Sequence, residues 1–164
     1  ITLSPDGNAF HTGIVTATSV TGVGTVTSVT ASGIDLSGLL REGVKITAGK
    51  LSDNINIDLE NGMVHYFTTQ ETTTSTPNIR FSSSVTLNDV MQIGETVSVT
   101  IITTAAAGGY SAQLTIDGAA VTENWVGGSA PSDGGSSGVD IHAYTIIKTA
   151  SATFTVIANQ SKTS

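Results

Sequence analysis

The sequence predicts an all-β protein: an extended, fibre-like N-terminal stem followed by an antiparallel β-sandwich or jelly-roll-like head. Three observations lead there. Val, Ile and Thr alternate with polar residues at a period of two, as half-buried strands require. Two-residue turn signals, Asn61-Gly62 and Asp117-Gly118, separate such stretches. Charged residues make up only 12% of the 164, while no apolar run approaches the ~18 residues of a membrane span.

Residues 1–40 form the predicted stem. They are low in complexity, with His11-Thr-Gly-Ile-Val-Thr-Ala-Thr-Ser-Val-Thr-Gly22 followed by Gly24-Thr-Val-Thr-Ser-Val-Thr-Ala-Ser-Gly33. Each unit offers two or three apolar side chains, too few to bury alone. Such repeats need stacked neighbours or identical chains around one axis, and a homotrimer supplies them. A Gly/Ser/Thr tether is the alternative reading. The first residues lack the basic region and apolar core of a signal peptide. A start at Ile rather than Met fits a piece of a longer chain.

Residues 41–70 form a predicted β-hairpin collar. Asn54-Ile-Asn-Ile-Asp-Leu-Glu60 places Ile55, Ile57 and Leu59 on one face, and Asn61-Gly62 is read as the turn into a partner strand from Met63. Residues 71–164 form the predicted sandwich head. Its elements are a short strand over 78–82 and a helical turn over 86–94, with Thr86 capping and Gly94 ending it. A long strand over 95–104 follows, with Val97, Val99 and Ile101 on one face. A hairpin then turns at Asp117-Gly118, and the last strand pair covers 139–148 and 152–158. Val126-Gly-Gly-Ser-Ala-Pro-Ser-Asp-Gly-Gly-Ser-Ser-Gly138 is too long for an ordinary turn, as binding loops or mobile ones are.

Net charge is −7, with only six Lys and Arg, scattered along the chain. Nucleic acid and anionic membrane surfaces are therefore poor partners. There is no cysteine, so neither a disulfide framework nor a thiolate metal site is available. No cofactor or metal is expected: the chain has no His-x-His pair and no EF-hand loop. A lone His65 or His142 meeting its copies on a three-fold axis is the one metal alternative.

Catalysis is not expected either. Asp133 and Asp140 flank the long loop, and Asp117 and Glu123 flank the second hairpin, but neither pair sits in a glycosidase-like motif. Gly-x-Ser-x-Gly is absent, and His11, His65 and His142 sit in unrelated segments. Glycan binding is the positive candidate, since sugars stack on aromatics and hydrogen-bond to amides and carboxylates. The candidates are Trp125 and Asn124 before the long loop, Tyr110 at another loop mouth, and Tyr144, His142 and Asp140 alternating onto one strand face. Trp125 has a second reading, as filler of the sandwich core.

Gly13-Ile-Val-Thr-Ala-Thr-Ser19 resembles fibre-shaft repeats of tailed phages. The segments 109–118, 121–131 and 144–154 resemble a C-terminal head domain of marine tailed-phage and cyanophage appendage proteins. The resemblance implies a trimeric, non-enzymatic virion component, assembled in the host bacterial cytoplasm and exposed on the particle. The expected function is structural, as the distal part of a tail fibre contributing to host-surface attachment, with host surface glycan and other virion proteins as partners. The alternative is a capsid decoration or head-fibre protein without a receptor role.

Overall fold

The computed structural model describes residues 37–39 and 41–163, together with the backbone of β1 (Thr2–Leu3) and β2 (Ala9–Phe10). The chain divides into two compact units, Ile1–Leu39 and Leu40–Ser164. In the first, β1 and β2 pair antiparallel. The repetitive stretch over 11–33, read as a stem, lies outside the described residues.

In the second unit the chain winds between two sheets. β3 (Val44–Thr47), β4 (Asn56–Asp58), β5 (Val64–Gln70), β6 (Asn78–Arg80), β7 (Thr96–Thr104) and β8 (Thr115–Ile116) go alternately to one sheet and the other. Thus β3, β5 and β7 are parallel neighbours, as are β4, β6 and β8. After this winding β9 (Ala119–Ala120) folds back on β8, and β10 (Glu123–Trp125), β11 (Val139–Ala150) and β12 (Thr153–Lys162) complete the larger sheet. The sheet orders are β10-β12-β11-β7-β5-β3 and β4-β6-β8-β9.

The all-β class holds, with one four-residue helix, α1 (Leu87–Val90), among the described residues. The antiparallel, jelly-roll-like order does not hold throughout. It is confined to β7-β11-β12 and β8-β9, and the other pairs of these sheets are parallel. Residues 41–70 and 71–164 contribute strands to the same two sheets, so the hairpin collar is not a separate element.

The expected hairpin at Asn61-Gly62 fails for a local reason. Leu59–Asn61 is a 3-10 turn, closed by Gly62 N–H on Leu59 C=O at 3.0 Å, and it carries the chain from one sheet to the other. Gly62 has φ +111°, and a Cβ there would stand 2.9 Å from the Gly43 carbonyl oxygen. Both the angle and the close approach select glycine. Asp117-Gly118 does form the expected two-residue turn, with φ +52° and +81°, as a type I′ hairpin needs.

The helical turn forms where Thr86 and Asp117 both supply acceptors. Thr86 Oγ1 accepts from Asp89 N–H at 3.0 Å, while the Asp117 carboxylate accepts from Leu87 N–H at 2.7 Å and Asn88 N–H at 2.9 Å. Buried Lys148 donates to the Asn88 and Met91 carbonyls at the other end. Four residues of helix are held at both termini by side chains from the sheets.

Inside the winding, Ile57, Ile79 and Ile116 stack in register on consecutive strands, all fully buried. They belong to one core with Phe67, Val99, Ile101, Tyr144, Ile146 and Val156. On the other face of the same strands Asn78 Nδ2 donates to Asn56 Oδ1, and Thr115 Oγ1 donates to Asn78 Oδ1, both at 2.9 Å. Beside them Arg80 Nε meets Asp58 Oδ1 at 2.5 Å. Ile79→Ala removes the middle rung, and a loss of about 2–5 kcal/mol in urea unfolding is expected. Ile93→Ala, at a side chain 66% exposed, should stay within about 0.5 kcal/mol.

Candidate functional site

The direction of the strands gathers the loops at one end of the second unit. β3, β5 and β7 are parallel, so the chain enters at Val44 at one end and leaves β5 and β7 at the other. The segments over 71–77 and 105–114 follow there. β11 pairs antiparallel with β7, so the long loop over 126–138, which leads into β11, lies at that same end. Two of the aromatic candidates are carried there.

Trp125 ends β10. It is partly buried and packs against the core. It also lines a shallow depression of about 230 Å³ with Pro131, Asp133, Asn159, Gln160 and Lys162. Tyr110, half-buried, lines a neighbouring depression with Thr74, Ser75, Thr76 and Gln113. Ala130 of the long loop borders both depressions, so the loop is the ridge between them. Asn124 is exposed, and its Nδ2 donates to Val156 C=O at 2.9 Å.

The long loop is tied down. Gln160 Nε2 donates to Asp133 C=O at 3.2 Å, and Lys162 Nζ meets Asp133 Oδ1 at 2.6 Å. Gly134 N–H donates to Ala107 C=O at 2.9 Å, and Gly135 N–H to Asp140 Oδ2 at 2.7 Å. A Cβ on Gly134 would come within 2.2 Å of the Ala106 carbonyl oxygen. Only glycine lets the two loops touch there.

Asp140, His142 and Tyr144 do share a face of β11, but that face points inward. All three are buried, at 0%, 1% and 1% exposure. They cannot form the exposed glycan-binding face expected of them. β11 is a central strand, and Ile146 on the same face is part of the core, so the whole face is committed to the interior. Thr103 lies opposite Asp140, and Gln160 opposite His142. Thr103 Oγ1, Asp140 Oδ1, His142 Nδ1, Tyr144 Oη and Gln160 Oε1 are buried without a hydrogen-bond partner. Burial lowers the His142 pKa to about 4, against a smaller opposing pull from Asp140. Burial, with Glu123 nearby, raises that of Tyr144.

A polar cleft that the sequence reading did not single out lies along the outer edges of the winding. Lys45, Asn54, Asn56, Asp58, Asn61 and His65 line it, with Phe67 behind, around about 360 Å³. The signal available was the alternation Asn54-x-Asn56-x-Asp58, which puts three polar side chains on one strand face. His65 Nε2 lies 3.1 Å from Gly62 C=O, and burial lowers its pKa, opposed by that backbone hydrogen bond and by Asp58. Among the described residues no cluster of three or more His, Cys, Asp or Glu could hold a metal ion.

The buried His142 makes stability depend on pH. Its pKa is depressed on folding, so between its folded value of about 4 and the ordinary 6.5 of the unfolded chain the unfolded state binds the extra proton. Stability therefore falls as pH drops through that window, by on the order of 3 kcal/mol, and His65 adds a change of the same sign. The midpoint of thermal unfolding should fall from pH 7 to pH 4, and His142→Gln should flatten that slope.

Comparison of the chain with family models, with curated proteins and with solved structures gives no match.

Proposed function

We propose that this chain is the distal part of a tailed-phage fibre, a non-catalytic structural protein whose head contributes to attachment at the host surface. The observation that carries the proposal is the polarity of the head. The chain enters at one end, and the loops bearing Trp125 and Tyr110 gather at the other. Loops gathered at one end of a rigid scaffold are where binding residues are commonly carried.

The two depressions beside the long loop suit a glycan better than a protein helix or a nucleic acid. They are shallow and mixed in polarity, each with one aromatic edge and several amides or hydroxyls. Trp125 and Tyr110 would contact the apolar ring faces of sugars, and Asn159, Gln113 and the Ser and Thr side chains would take the hydroxyls. In this reading residues 1–40 form the intertwined stem of a homotrimer. Their scattered Val and Ile find in two further copies the partners that one chain does not supply.

Binding to bacterial cells and to their purified surface polysaccharide tests the proposal, with the full chain and its Tyr110→Ser variant compared. The full chain should bind, and the variant about tenfold more weakly, as for loss of one well-placed aromatic contact. A chain that binds neither cells nor polysaccharide, yet attaches to phage particles through residues 1–40, would replace attachment with capsid decoration.

A further inference from the structure

The outward face of the six-stranded sheet carries no charged side chain on any of its strands. Alternation puts Val44 and Ile46 of β3 outward, with Val64, Tyr66 and Thr68 of β5. On β7 and β11 the outward positions alternate with buried ones and hold only Thr, Ser, Ile, Val and Ala. On β12 they hold Thr155, Ile157, Asn159 and Ser161. The charged residues of these strands, Lys45, Glu123, Asp140, Lys148 and Lys162, all take the opposite alternation.

Within the face, Ile46, Tyr66, Ile102 and Ile141 align in register across four adjacent strands. Ile46 is 65% exposed at the sheet edge and Ile157 is 42% exposed towards the other edge. Carboxylates stand at the end of the strands: Glu42 accepts from Met63 N–H just before β5, and Glu95 from Gln92 N–H just before β7. An uncharged centre with charge at the margin is the composition of a protein interface.

We infer that this sheet face is where copies of the same chain pack against one another. The chain's net charge is −7, so copies repel through most of their surface. They can approach closely where that charge is absent, and a face of Ile, Val and Thr is complementary to itself. The six strands, about 4.8 Å apart, run from three residues in β10 to twelve in β11, and at their mean length they cover roughly 29 Å by 25 Å. That is about 700 Å², close to the roughly 800 Å² per partner of a stable interface. Two such faces pack as sheets do, about 10 Å apart, in a two-fold contact between a pair of chains that is separate from the three-fold contact proposed for residues 1–40. The inference rests on the head alone and not on the fibre reading.

The absence of cysteine makes the test direct. Thr100→Cys, at the centre of the face, is placed in the full chain and compared with Ser151→Cys on the exposed β11–β12 turn. At high protein concentration the Thr100→Cys thiol should react with a maleimide about tenfold more slowly, because interface centres exclude solvent. A short bismaleimide should join copies through it, and Ile102→Glu in the same chain should abolish that joining. Thr145→Cys, a neighbouring outward position, repeats the test should Thr100→Cys fold poorly. Equal reactivity at the two sites without cross-linking overturns the inference. If sedimentation then still gives a multimer, the stem holds the copies and the fibre reading survives. A monomer removes the support for both.

Discussion

The stacking of Ile57, Ile79 and Ile116 is the contact on which the rest of the head depends. Three short strands of two or three residues cannot hold a sheet by backbone hydrogen bonds alone. What fixes them is that consecutive passes of the chain deliver the same side chain to the same place, so each isoleucine is buried by the one before and after. Once that register is set, the partner strands β3, β5 and β7 follow at fixed spacing. The Asn56–Asn78–Thr115 hydrogen bonds enforce the same register from the outside, since a slip of one residue would place amides in the core and isoleucines in water. The long β11–β12 pair then lies against an existing surface and closes the larger sheet.

The all-β class, the helical turn at Thr86 and the Asp117-Gly118 hairpin were legible because each rests on local chemistry. A two-residue period, a capping hydroxyl and a turn that needs positive φ leave traces within a few residues. Parallel pairing leaves no such trace: β5 pairs with β7 some thirty residues on, and nothing near Val64 announces it. Asn61-Gly62 misled for the same reason. Glycine at positive φ ends a 3-10 turn between two sheets as well as it turns a hairpin, and the choice is made by distant strands.

The candidate site was legible by alternation but not by side. Asp140, His142 and Tyr144 share a face, as their spacing requires, yet the more polar-looking face of β11 is the buried one, and Ile141, Ala143 and Ile147 face outward. Hydrophobic pattern alone assigns the reverse. The polar stretch at Asp140 and His142 ends at Tyr144 and Ile146, which belong to the common core, although Lys148 beyond them is again polar and buried. It coincides with the place where the 105–114 and 126–138 loops, rather than the smaller sheet, meet β11. Loop backbone reaches one of the polar atoms there, Asp140 Oδ2, which accepts from Gly135 N–H, while Asp140 Oδ1, His142 Nδ1 and Tyr144 Oη have no partner.

The same inversion separates the two kinds of recognition proposed for this domain. A sheet face that meets a copy of itself gains from being uncharged, and the outward face is uncharged because the charged residues of its strands take the opposite alternation. A site for an external ligand needs concavity and mixed chemistry, which strands of this regularity do not provide. The loops at the far end do, and the buried Asp140 helps hold their backbone by accepting from Gly135. The polar cluster beneath β11 is therefore best understood as a mount for the loops proposed to meet a ligand rather than as a site itself. Its cost in unpartnered buried groups is what a rigid loop of such glycine content requires, since thirteen residues rich in Gly and Ser would otherwise lose much conformational entropy on meeting a ligand.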